Sequence, residues 1–114
     1  MGQIFWNVGS PGTASVTANG GLSSAVVGTS GAQVVAGNPA RQSIRFANPG
    51  TTNIFVYPLL NATGGANSPS SANPAGSFQV FPGNQIVISG ECQGAWGAFG
   101  ASATNYLSIL ESNL

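Results

Sequence analysis

The side chains with acid–base or nucleophilic potential are few: Arg41, Arg45, Glu91, Glu111 and Cys92, in 114 residues with no His, Lys or Asp. Cys92, in Glu91-Cys92-Gln93-Gly94, has the residue type of a nucleophile. A catalytic cysteine needs a base, usually His, to make its thiolate, and none is present. A buried structural thiol is the expectation. Zinc is excluded on the same ground, because a tetrahedral site draws on several Cys and His. Glu91 and Glu111 have the types of a glycosidase pair, one carboxyl as acid and the other as base or nucleophile. The competing reading pairs each carboxylate with Arg41 or Arg45, within the subunit or across an interface, where a charge pair fixes register more than it adds stability. No catalytic residue, cofactor or metal is expected.

This scarcity of charge is the main compositional fact. Charged residues make up 4% of the chain and the net charge is zero, against roughly a quarter charged in an ordinary domain. Near-zero net charge favours association, so the composition suits a protein that works inside an assembly. Polarity comes from Ser, Thr, Asn and Gln, a third of the residues. Two Arg without Lys leave no basic footprint for nucleic acid. The longest apolar run, 54–60, contains Pro58 and is too short to span a membrane. The first basic residue is Arg41, so no signal-peptide n-region is seen. One cysteine fits synthesis in a reducing cytoplasm.

The elements that must position these residues are strands. Short β-branched and aromatic runs alternate with Gly, Pro and Asn, an all-β signature. Strands are expected at 15–18, 22–27, 33–36, 41–47, 53–59, 77–81, 85–89, 94–99 and 105–111. Pro82-Gly83 suits the central pair of a type II turn, and Asn19-Gly20-Gly21 a tight hairpin. Alternation puts Ile44 and Phe46 on a core face and Arg41, Ser43 and Arg45 on a wet one. Ile54, Val56, Phe78, Val80, Ile86, Ile88 and Leu107 complete the expected core. The last strand is apolar on both faces, Leu107 and Ile109 opposing Tyr106 and Leu110. Spacing of this kind fits a small antiparallel sandwich, jelly-roll-like or Ig-like, over residues 14–114. Residues 1–13 form an extended arm carrying Ile4, Phe5 and Trp6, and 61–76 a long loop. Trp96, Phe99 and Tyr106 could stack on a sugar, although core packing is the commoner fate of strand aromatics.

From Arg41 to Glu111 the chain resembles small virion proteins of tailed bacteriophages. The residues that carry the likeness are Arg41-Gln42-Ser43-Ile44-Arg45-Phe46-Ala47-Asn48-Pro49-Gly50, Ile54-Phe55-Val56-Tyr57-Pro58, and Gly76-Ser77-Phe78 with Pro82-Gly83 and Ile86. Glu91-Cys92-Gln93-Gly94-Ala95-Trp96-Gly97-Ala98 and Leu107-Ser108-Ile109-Leu110-Glu111 complete it. The resemblance implies a β-sandwich virion component of the capsid decoration, or cement, type, assembled in the host cytoplasm. Its partners would be the major capsid protein and copies of itself in a homo-oligomer, with no nucleic acid and no membrane. Ile4, Phe5, Trp6, Arg41, Arg45 and Glu111 are the interface candidates. The alternative is a head or tail fibre domain that binds host-surface glycans through the 61–76 loop and Trp96.

Overall fold

The computed structural model describes residues 21–60 and 64–113. The expected strand at 15–18, its hairpin turn, the arm and Asn61 to Thr63 lie outside them. Among the described residues eight strands follow one another: β1 Gly21–Val27, β2 Ala32–Val35, β3 Arg41–Ala47, β4 Ile54–Pro58, β5 Phe78–Val80, β6 Gln85–Ser89, β7 Trp96–Gly100 and β8 Asn105–Asn113. They form two four-stranded antiparallel sheets, β1-β8-β3-β6 (sheet A) and β2-β7-β4-β5 (sheet B).

The strand order has a simple logic. First pairs with last, second with seventh, third with sixth and fourth with fifth. That is one long hairpin, and rolling it up adds the β3–β8 and β4–β7 pairings that close each sheet. The result is jelly-roll topology, two Greek keys over eight strands. It separates the two topologies that the sequence left open, because an Ig sandwich divides its strands differently.

The core lies between the sheets. Ile44, Phe46, Leu107 and Ile109 of sheet A meet Val35, Ile54, Val56, Val80, Trp96 and Ala98 of sheet B. Phe46 and Trp96 rings pack 5.4 Å apart, within the range that aromatic pairs prefer. The Pro82-Gly83 turn forms as its residues dictate: Asn84 N–H donates to the Phe81 carbonyl at 3.0 Å, with Gly83 at φ +79°. Asn48-Pro49-Gly50 turns differently, through an Asn48 side chain that accepts from Gly50 N–H at 3.0 Å.

One core expectation needs correction and two hold in part, and strand position explains them. Phe78 is 50% exposed, because β5 is a three-residue edge strand and the ring sits at the sandwich margin near Trp96. Ile86 and Ile88 pack against the core but are only half-buried, because β6 is an edge of sheet A. Among the described residues both strands have a neighbour on one side only.

Arg41 departs furthest from its expected place. It is buried to 1% exposure instead of sharing the wet face with Arg45. Arg41 pairs with Asn113 but Ser43 pairs with Ser112, so β3 uses two steps where β8 uses one. The extra residue is a β-bulge, which reverses the facing of everything before it. Arg41 is thereby turned to the side of Ile44 and Phe46.

Candidate functional site

Arg41 ends in a polar pocket at one end of the core. Its Nε and Nη2 donate to Glu111 Oε1 at 2.8 and 2.6 Å. Nη1 donates to the carbonyls of Cys92 and Gly94, and Nη2 also to that of Ala36 at 2.7 Å. All five guanidinium N–H groups are thus used. Asn38 adds donations to Glu111 Oε1 at 3.4 Å and to Asn113 Oδ1 at 3.0 Å. The fork ties β3 and β8 of sheet A to the chain after β2 and the chain before β7, both leading to sheet B. Glu111 reaches the pocket by parity, because Asn105, Leu107, Ile109, Glu111 and Asn113 all face inward along β8.

This geometry suits a staple better than a catalyst. Glu111 is fully buried and held by Arg41, whereas Glu91 is exposed in the β6–β7 connection. The two carboxylates thus have opposite surroundings, one sealed inside the fold and the other in solvent. Cys92 is buried, and that burial pushes its thiol above its ordinary value, with the nearby Arg41 charge opposing and outweighed. A thiol so held is a poor nucleophile. Among the described residues no group of three His, Cys, Asp or Glu could hold a metal.

The interface candidates separate. Arg41 and Glu111 lie inside the subunit and have no surface to offer a partner. Arg45 stands exposed on the outer face of sheet A. Ile4, Phe5 and Trp6 lie outside the described residues. The aromatic candidates divide as well: Trp96 and Phe99 are buried and Tyr106 is 58% exposed. Phe99 lies on the outer side of sheet B, stacked on Phe55 at 5.0 Å and near Tyr57 at 6.1 Å. Of the long loop, the described part is anchored by Asn67, whose Nδ2 donates to the carbonyls of Pro58 and Gly76 at 2.9 and 3.1 Å.

One accessible apolar surface among the described residues is the outer face of sheet A. Strand register places Leu22, Leu110, Arg45 and Val87 in one row across its four strands. Val26 and Tyr106 make a neighbouring pair, and Ser24, Ser108, Ala47 and Gln85 fill the row between. Leu22, Val26, Val87 and Tyr106 are all exposed, and Arg45 is the face's only charge among the described residues. A shallow apolar depression of about 100 Å³ runs beside Leu22, Arg45 and Leu110. Such a face can exclude water against a flat neutral partner, with Arg45 fixing orientation.

Sequence reasoning missed the structural asparagines. Asn105 Nδ2 donates to the carbonyls of Val27 and Ser102 at 2.8 and 2.7 Å, and Asn48 Nδ2 to those of Thr52 and Val80 at 2.7 and 2.9 Å. Their only sequence signal was position: Asn105 shares parity with Leu107, and Asn38 and Asn48 each precede a proline. No protein-family model, curated protein or solved structure matches this chain.

Proposed function

We propose that the chain is a non-enzymatic structural protein of a tailed-phage virion, binding the capsid surface and reinforcing its lattice contacts. The observation that carries this reading is the outer face of sheet A, apolar and hydroxyl-lined with a single Arg. The resemblance of residues 41–111 to small virion proteins gives the particle as its setting. The jelly roll itself serves both capsid proteins and lectins, so the fold alone does not choose between them. The rival glycan-binding reading relied on Trp96 as a stacking platform, and that ring is in the core. In the capsid reading Ile4, Phe5 and Trp6 add an apolar anchor, a role argued from sequence alone.

The test is co-sedimentation of the purified chain with tailed-phage capsids that lack it. Saturable binding, weakened by a charge placed on the sheet face, is the expected result. No binding, or glycan binding in its place on an array, would overturn the proposal.

A further inference from the structure

Among the described residues sheet A has two edges, β1 and β6; the five residues of β6, Gln85-Ile86-Val87-Ile88-Ser89, have no charge and no proline. Exposed edges invite pairing, and proteins usually blunt them by shortness, charge, proline or a bulge. The edges of sheet B are so treated: β5 has three residues and is followed closely by Pro82, and β2 has four with a register shift. β6 has none of these devices, and its register with β3 is unbroken.

The backbone groups at this edge can be identified. Asn48 N–H donates to the Asn84 carbonyl at 2.9 Å. Hydrogen-bonded pairs alternate along an antiparallel ladder, so Phe46↔Ile86 and Ile44↔Ile88 are the next ones bonded. The amides and carbonyls of Gln85, Val87 and Ser89 therefore face away from β3. The sequence around them is nearly palindromic, with Val87 at its centre flanked by Ile86 and Ile88, then by Gln85 and Ser89.

We propose that two copies of this chain pair through β6, antiparallel about a two-fold axis at Val87, joining two sheets A into one eight-stranded sheet. Val87 faces Val87 of the second copy and Gln85 faces Ser89, each pair exchanging two backbone hydrogen bonds. Ile86 then lies opposite Ile88 on the inner side, covering two side chains that one subunit leaves half-buried. Charge favours a second copy over a charged partner strand, because the edge holds no counter-charge for one. The pairing also brings no like charges together. Arg45 sits one strand in from the edge, so the two copies' Arg45 residues are about 14 Å apart across three strand spacings, beyond a Debye length of about 8 Å. The contact is isologous and closes as a dimer.

Sedimentation velocity over a concentration series tests this, and its outcome is separable from capsid binding. The wild-type chain is expected at twice its 11.3 kDa protomer mass. Val87→Lys places two cations at the axis and gives a monomer with unchanged circular dichroism, because Val87 is 52% exposed in the subunit. Val87→Thr, still β-branched, stays dimeric. In a Cys92→Ser background, Val87→Cys forms an intermolecular disulfide on mild oxidation, since the paired Cα atoms lie about 5.5 Å apart, within disulfide range. A wild-type monomer at all concentrations, a dimer that survives Val87→Lys, or failure to cross-link would each overturn the proposal.

Discussion

Replacing Glu111 with Gln keeps the shape of the side chain and removes its charge. Arg41 is then left fully buried, with carbonyl oxygens and one neutral amide as its partners. Breaking a buried ion pair by removing one member costs about 3–5 kcal/mol, a large share of the roughly 5–15 kcal/mol that holds a domain together. With a urea m-value of about 1.5 kcal/mol/M, the midpoint should fall by about 2–3 M. Arg41→Met should cost at least as much, because it also frees the carbonyls of Ala36, Cys92 and Gly94. The double variant Arg41→Met/Glu111→Leu removes both charges and should recover part of the loss. Recovery stays incomplete, since each abandoned buried acceptor costs about 1–3 kcal/mol. Arg45→Ala, on the open sheet face, should change stability by no more than about 0.5 kcal/mol. Equilibrium urea unfolding followed by tryptophan fluorescence measures all four. A Glu111→Gln midpoint within experimental scatter of wild type would refute the staple.

Stability should decline in alkali, because burial raises both the Cys92 thiol and the Tyr57 hydroxyl above their ordinary values. The folded chain then holds protons that the unfolded chain loses above a thiol pKa of about 8.5, so unfolding free energy falls as pH rises. Cys92→Ala should flatten the first part of that decline in melting curves taken from pH 7 to 10. Gly97→Ala should cost about 1–3 kcal/mol by overpacking, since a Cβ there would lie 2.6 Å from the buried Tyr57 ring; chemical denaturation reads the loss. Tyr106→Lys should leave stability within about 0.5 kcal/mol while reducing capsid co-sedimentation, and equal sedimentation would remove the sheet face from the binding account.

Strand positions were readable because alternation and turn residues act locally. Ile44, Phe46, Ile54 and Val56 sit where their period puts them, and Pro82-Gly83 turns where its dihedral preferences require. Edge effects were not readable. Nothing in Phe78, Ile86 or Ile88 announces that its strand has one neighbour only, since that follows from how the whole hairpin rolls. Arg41 failed for a related reason. Its parity with Ser43 and Arg45 was counted correctly, but a bulge at Gln42 reversed it, and a bulge is a property of the pairing with β8. Glu111 was legible after all: it shares parity with Leu107 and Ile109, so counting two steps further would have placed it inside. Ile4, Phe5 and Trp6 remain a reading of the sequence.

The long-hairpin topology also dictates when the protein can fold. Among the described residues β1 has no partner in its sheet except β8, and Arg41 meets its counter-charge only when Glu111 arrives. Between Gly21 and Asn105 a ribosome adds residues at about 5–20 per second, so β1 waits several seconds for β8. The inner pairs, β4–β5 and β3–β6, can form earlier, and the roll must tighten from the middle outward. Folding is therefore completed only after β8 has cleared the exit tunnel, and until then a nascent chain with almost no charge presents bare strand edges to its neighbours. Crowded synthesis of such a chain favours chaperone capture or prompt association, and a cell making it in quantity should show that demand.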